Sequence, residues 1–174
     1  MAPVDVERIR RVLEERRPSP AHVLFAVFIS SLAEGNLLNQ GVMNFLSRSA
    51  AEKLHVYLGA MGLRVEGRTD AERLRDLVAK VNRLLEIGRD PVVEAAGDGV
   101  VTVGLGGESC RYCPKGVGLA EIPGTACPFP RLIEALAQLE GINARLIVER
   151  EGARVKVLEK RSGLCFFRYQ VGQR

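Results

Sequence analysis

The chain has 174 residues, of which 47% are hydrophobic and 26% charged, and its formal net charge is +4. These values are typical of one globular domain with its own core, and they exclude a disordered chain. The longest apolar run, residues 23–29, is too short to span a bilayer, and the first residues lack the order of a secretory signal. We therefore expect a cytoplasmic protein without a membrane span.

The basic charge by itself suggests nucleic acid, but its distribution does not. Lys and Arg alternate with Asp and Glu along the predicted helices, as in residues 7–11 and 70–76. Interspersed signs are typical of a solvated helix face rather than of a surface that follows phosphates. Nucleic acid is therefore not the expected partner, and a basic zinc-containing nucleic-acid adaptor is kept only as a second alternative.

Two helices are predicted in the N-terminal segment. The first covers residues 4–16, and the second begins at Ser19 and Pro20, a cap followed by a favoured first residue, and runs to about Glu34. The second helix is apolar on nearly every side, which predicts burial in the core or against another subunit. We expect residues 1–34 to join two copies in a homodimer, with residues 35–174 forming the ligand-binding domain.

A third helix is predicted from Asn36 to Met61. Gly41 and Gly59 lie on or beside its apolar side, where glycine weakens a helix and calls for a packing or access reason. We therefore predict that this helix borders a ligand pocket, although for any single one of its apolar residues ordinary core packing is the favoured interpretation. The candidate ligand-binding residues are Phe45, Leu54, Leu58 and Met61.

The remaining chain changes from helical to strand periodicity. Thr69 and Glu72 form a capping box for a fourth helix, which Gly88 ends. A hairpin at residues 92–105, a Gly- and Pro-rich loop at 106–130 and a helix at 131–139 follow. Three further strands are predicted at residues 144–149, 153–159 and 165–171. The fold class is therefore α+β, with a helical N-terminal half packed on a mostly antiparallel sheet.

Four cysteines occur in the C-terminal part: Cys110, Cys113, Cys127 and Cys165. A Cys-x-x-Cys pair with two further thiols is typical of a closed structural zinc site. Two disulfides, an iron–sulfur centre and unrelated buried thiols are the alternatives. Redox catalysis by the pair is disfavoured, because Gly116 and Gly118 argue against the helix that would lower a thiol pKa. Zinc is the expected cofactor, and the loop is expected to bind it.

The order of elements and three short motifs resemble a known family. The motifs are residues 34–41, Glu-Gly-Asn-Leu-Leu-Asn-Gln-Gly, then Cys127-Pro-Phe at a helix start, and Cys165-Phe-Phe near the end. Together they are similar to the 4-vinyl reductase domain, also described as hydrocarbon-binding. Its fold resembles ligand-binding domains of nitric-oxide signalling and TRAPP-type subunits. The resemblance implies a buried apolar pocket and zinc binding by Cys127 and Cys165. Residues 159–163 lack the family's further Cys, which Cys110 and Cys113 could replace.

The resemblance implies a function without identifying a ligand. It favours a zinc-stabilised, non-enzymatic binding or sensor module for a small apolar molecule. An enzyme or accessory protein that acts on a tetrapyrrole vinyl group is the alternative. The sequence contains no dinucleotide-binding fingerprint to supply a hydride and no evident cluster of catalytic residues.

Overall fold

The computed structural model describes residues 5–38, 40–62, 64–151 and 154–172. Within these ranges four α-helices come first and the strands follow, and a fifth α-helix lies between the second and the third strand. The helices are α1 (Val6–Arg16), α2 (Pro20–Glu34), α3 (Gln40–Ala60), α4 (Asp70–Leu85) and α5 (Phe129–Leu139). The strands are β1 (Val92–Ala95), β2 (Val100–Leu105), β3 (Ala144–Leu146), β4 (Glu149–Glu151), β5 (Arg154–Lys156), β6 (Glu159–Arg161) and β7 (Leu164–Val171). The predicted α+β class is confirmed.

The main sheet is antiparallel, and β7 is its central strand. The order is β1-β2-β7-β3, and β6 also pairs with the first residues of β7. Along β2 and β7 the register places Val101 opposite Tyr169, Val103 opposite Phe167 and Leu105 opposite Cys165. Because alternate residues of a strand share a face, these three pairs lie on one side of the sheet. The pair β4–β5 forms a separate small hairpin.

The core lies between this face of the sheet and the helices α3, α4 and α5. The predicted capping box at Thr69 and Glu72 is present and begins α4. The apolar stripe of α4, residues Leu74, Leu77, Val78 and Val81, is fully or almost fully buried. Helix α5 packs against α3 and buries Leu132, Ile133 and Leu136. The apolar sides of both helices therefore face the core.

Four predicted boundaries differ from the structure. Helix α4 ends at Leu85, before the left-handed Glu86, rather than at Gly88. Helix α3 begins at Gln40 rather than Asn36, because Leu37 N–H donates to Leu32 O (2.9 Å) and Asn36 is left-handed, which closes the end of α2. The strand predicted at 144–149 leaves β7 after Leu146, and residues 149–151 pair with β5 instead. The strand predicted at 153–159 is likewise divided between β5 and β6, and Ala153 lies outside the described residues.

Helix α2 is not buried on all sides. One side packs on the domain through His22, Ala26, Ile29 and Ser30, which are buried. The other side leaves large apolar side chains in solvent: Leu24, Phe25, Val27 and Phe28. In the described part of the chain, no helix combines the length and the hydropathy needed to cross a membrane.

Candidate metal centre and cavity

The four cysteines come from three separate parts of the fold. Cys165 lies on β7 opposite Leu105, the last residue of β2. The chain then turns through residues 106–109 and presents Cys110 and Cys113 in the loop. Cys127 directly precedes the start of α5. The antiparallel register of β2 and β7 therefore brings the fourth cysteine next to the loop that carries the first two.

The turn between β2 and Cys110 requires glycine. Gly106 and Gly107 both have left-handed backbones, with φ of 62° and 64°. A Cβ on Gly107 would collide with the carbonyl oxygen of Gly163, and one on Gly106 would lie 2.9 Å from the Cβ of Cys110. Only glycine combines this conformation with this closeness. The Gly-rich sequence after β2 thus serves to seat the cysteine loop on β7.

Tyr112 anchors the Cys110–Cys113 pair between helices. Its ring makes edge contacts with His22 (4.6 Å between centroids), Phe25 (5.4 Å) and Phe129 (5.6 Å). His22 and Phe25 belong to α2, and Phe129 begins α5. Edge-to-face aromatic pairs add stability beyond burial. The loop is therefore fixed on both sides.

All four thiols are free and lie close to one another. Charge on Cys113 and Cys165 raises the pKa of Cys110, and charge on the other three raises the pKa of Cys127. Charge on Cys113 also raises the pKa of Cys165. Every pair among the four is thus near enough to interact electrostatically. The structure brings together the four cysteines that the sequence grouped.

Backbone N–H groups act on the thiols. The Gly116 N–H donates to Cys113 Sγ (3.2 Å). The N–H groups of Tyr112, Phe129 and Gly107 oppose the burial that raises the pKa of Cys110, Cys127 and Cys165, respectively. Hydrogen bonds to the charged form of a group favour that form. For Cys127 the donor belongs to the first turn of α5, whose N-terminus also favours negative charge. These N–H groups would stabilise the sulfur atoms once they have lost their protons.

Burial keeps Cys110, Cys127 and Cys165 protonated when nothing binds them. Burial raises the pKa of Cys110 to about 12 and is also the largest cause that raises the pKa of Cys127 and of Cys165. A thiol must lose its proton to bind a metal, so a metal would compete with protons here. Binding should therefore weaken as the pH falls.

Arg16 of α1 supplies positive charge beside the thiols. Its Nη1 donates to the carbonyl oxygens of Cys110 (2.8 Å) and Gly107 (3.3 Å). Positive charge opposes the burial that raises the pKa of these thiols, from Lys160 and then Arg16 at Cys165 and from Arg16 at Cys110. The Nε of Arg16 is buried and has no partner among the described residues. A divalent ion with four thiolates carries two net negative charges, which Arg16 and Lys160 would offset.

The donor set fits zinc, although the ligands do not stand in metal-binding geometry. Four thiolates match the ligand set of a structural zinc site, and N–H donors with two nearby cations suit its charge. Across the described ranges, no three or more His, Cys, Asp or Glu side chains are already arranged as a metal-binding group. Coordination would therefore require the sulfur atoms to deprotonate and close in.

A cavity of about 1050 Å³ opens beside the thiols and has all four cysteines in its wall. Most of its wall is apolar, and its larger apolar members come from the sheet, from the start of α5 and from the segment between β5 and β6. The apolar lining residues are Ile87, Leu105, Tyr112, Pro114, Pro123, Ala126, Phe129, Val157, Leu158 and Phe167. This size and character are typical of a small-molecule site.

The ligand-binding residues predicted on α3 do not line this cavity. Phe45 and Met61 are 71% and 58% exposed, Leu54 is partly buried, and Leu58 is packed in the main core. A Cβ added to Gly59 would meet no atom within 4 Å, so no close packing accounts for that glycine. The assignment of these four residues of α3 to a ligand site therefore stays a prediction, and the cavity described here lies at the cysteine loop.

Several residues of the site gave no recognisable signal in the sequence. Arg16 is one of many arginines in the N-terminal helices, and only its contacts distinguish it. Val157 and Leu158 lay in a segment predicted as ordinary strand, whereas they follow β5 and line the cavity. The predicted strands did offer a signal for Cys165. If the last predicted strand pairs antiparallel with the strand that ends at Leu105, Cys165 comes next to the end of that strand, as it does in the structure.

Comparison with known proteins gives a family and no activity. The profile of the MJ0207 family matches residues 36–171, which is most of the chain. An uncharacterized protein of Methanocaldococcus jannaschii, MJ1342, is 38% identical over 66 residues, or 38% of this chain. The matched part spans 56% of that relative. No solved structure matches the chain. Neither name refers to a 4-vinyl reductase domain, so that resemblance stays a prediction.

Proposed function

We propose that this chain, which belongs to the MJ0207 family, is a non-enzymatic binding or sensor module for a small apolar ligand, stabilised by zinc. The observation that carries the proposal is that the four thiols and the large apolar cavity share one wall. A metal that joins the loop, β7 and the start of α5 would fix the shape of that wall. The metal would thus contribute to ligand binding by keeping the cavity wall in a single conformation.

In this proposal Cys110, Cys113, Cys127 and Cys165 hold the zinc and leave it no open position. Zinc in such a closed site supplies folding free energy and no reaction chemistry. The backbone N–H groups and Arg16 stabilise the thiolates, and Tyr112 keeps the paired cysteines in place. The apolar side chains around them exclude water from the ligand.

Metal analysis and thermal unfolding of the full chain test the zinc centre. We expect one zinc per chain, and removal by a chelator should lower the unfolding temperature until zinc is restored. Cys127→Ser should abolish stoichiometric zinc and destabilise the protein, and each 1 kcal/mol lost should lower the unfolding temperature by about 2–4 °C at this chain length. Ala126→Ser, a neighbouring change without a lost thiol, is the matched control. A chain with no zinc, or with iron and sulfide, would contradict the proposal.

Native mass spectrometry of the protein purified from cells tests the ligand. A co-purified apolar molecule that is lost in a cavity-filling variant, Leu158→Trp, supports a binding module. A bound tetrapyrrole or flavin would instead favour the alternative in which the protein acts on a tetrapyrrole vinyl group. The third possibility, a nucleic-acid adaptor, predicts co-purified nucleic acid that high salt releases.

A further inference from the structure

The charged residues in the cavity wall are all basic. Lys115, Lys156 and Lys160 line the cavity together with the apolar residues and the cysteines. No Asp or Glu is among the lining residues in the part of the chain that the structure describes. An apolar cavity whose wall contains three cationic side chains and no carboxylate has a positive potential at that wall. A neutral hydrocarbon would gain nothing from that potential.

The three lysines of the cavity wall do not form ion pairs with described residues. Among the described residues, no salt bridge involves Lys115, Lys156 or Lys160, although other lysines and arginines of the chain do form them. The Lys115 ammonium donates to Gly124 O (3.1 Å), a neutral acceptor within the loop. A lysine ammonium has three N–H donors, so capacity for a further acceptor remains.

The charge of a metal centre does not account for all three cations. Arg16 donates to the carbonyl oxygen of Cys110 (2.8 Å), and Lys160 lies directly opposite Cys165 in the pairing of β6 with β7, so these two cations would balance the two net negative charges of a zinc–thiolate centre. Lys115 lies in the loop with its ammonium on Gly124 O, and Lys156 belongs to β5. Two positive charges are therefore left to face the cavity.

We infer that the ligand is an amphipathic acid, an apolar body that bears a carboxylate or a similar anionic group. This inference rests on the proposed function and adds the chemical class of its ligand. The apolar body fills the space between Phe129, Phe167 and Leu158, and the acidic group is held by Lys115 and Lys156. Charged hydrogen bonds in a partly buried site are stronger than those between neutral groups.

Two fluorescent probes with the same aromatic skeleton test the inference on the full-length, zinc-loaded protein. The anionic probe is 8-anilinonaphthalene-1-sulfonate, and the neutral probe is N-phenyl-1-naphthylamine, which lacks the sulfonate. We expect the anionic probe to bind about tenfold more tightly, since one charged hydrogen bond contributes an amount of that order. The preference should shrink as the salt concentration rises.

The variants separate the charge from the cavity. The double variant Lys115→Gln and Lys156→Gln should lose the tenfold preference and bind the neutral probe as before. Lys53→Gln, which removes an exposed lysine of α3 outside the cavity, should change neither affinity. Leu158→Trp should weaken both probes, which shows that they occupy the cavity and not the exposed face of α2. Zinc content is measured for every variant, so that a lost metal is not mistaken for a lost ligand.

The outcomes distinguish this inference from the proposed function. Equal affinity for the two probes, or a preference that the lysine variant retains, would overturn the acidic-ligand inference and leave the apolar binding module standing. Binding of neither probe, or binding that Leu158→Trp does not affect, would contradict the binding module itself. A preference for the anionic probe that is lost only in the lysine double variant supports both the acidic-ligand inference and the binding module.

Discussion

Tyr169 is a single residue that links the sheet to the cysteine site. Its side chain is fully buried, and its hydroxyl donates to Pro130 O (2.7 Å) at the start of α5, three residues after Cys127. Burial, and next the charge of Glu134, raise the pKa of Tyr169 well above its usual value, so the hydroxyl stays a donor. One buried hydrogen bond thus holds the start of α5 in position on the central strand.

Replacing Tyr169 with Phe should destabilise the protein by about 0.5–1.5 kcal/mol, because the buried hydrogen bond from the Tyr169 hydroxyl to the carbonyl oxygen of Pro130 is lost. Urea unfolding measures the change. Tyr57→Phe, at a tyrosine whose side chain is largely exposed, is the control and should leave the stability nearly unchanged. An equal, small effect of both changes would mean that the Tyr169 hydrogen bond does not hold the start of α5 on the sheet.

At the scale of elements, α4 is a helix whose start is defined by a capping box in the sequence. Thr69 Oγ1 accepts from the Glu72 N–H (3.2 Å), and the Glu72 carboxylate accepts from the N–H groups of Arg68 (2.8 Å) and Thr69 (3.2 Å). These backbone donors lower the pKa of Glu72 below its usual 4.5. The charged carboxylate therefore stabilises the start of α4 in the folded state.

The contribution of Glu72 should depend on pH in one direction. Because the folded-state pKa is lowered, the stability is present above pH 4.5 and is lost as the pH falls through the folded-state value. Glu72→Gln should therefore be less stable than the wild-type protein at neutral pH, and the difference should shrink on acidification. Glu66→Gln, an exposed carboxylate outside the capping box, is the control. A difference between Glu72→Gln and the wild type that does not vary between pH 7 and pH 3 would refute the assignment.

Across the whole molecule, the outer face of α2 is the largest feature that the single chain leaves unexplained. Leu24 and Phe28 are 60% and 61% exposed, whereas the opposite side of the same helix is buried. Exposed apolar clusters of this kind normally mark interfaces, and a two-fold contact between identical faces is the simplest way to cover one. The prediction of a homodimer through the N-terminal helices is therefore kept and now refers to a defined face.

Phe28→Glu should convert a dimer to a monomer with little loss of monomer stability, since this side chain contributes little to the core. Light scattering at micromolar concentration measures the oligomeric state. Val56→Glu, which places the same charge on an exposed position of α3 (69% exposed), should leave the dimer intact. A wild-type protein that is already a monomer would show that α2 is covered in some other way, or not at all.

The sequence by itself determined the elements and the members of the thiol group. Capping residues, apolar periodicity and glycine positions predicted α2 and α4 and the first hairpin, because these signals act between residues close in the chain. Cysteine spacing selected the four thiols, since the Cys-x-x-Cys pair is itself a local motif. The boundaries predicted at residues 36–40 and 144–159 are wrong, because the end of a helix and the pairing partner of a strand depend there on distant segments.

Only the tertiary structure decided where the cavity lies and which charges face it. The apolar periodicity of α3 indicated a buried or contact face. It could not show whether that face packs in the core or lines a cavity. The packing placed Leu58 in the core, left Phe45 in solvent and opened the cavity at the cysteine loop instead. Arg16 and Lys156 reach that loop and its cavity from opposite ends of the chain. Contacts of such long sequence separation are set by the packing of whole elements, which no local pattern encodes.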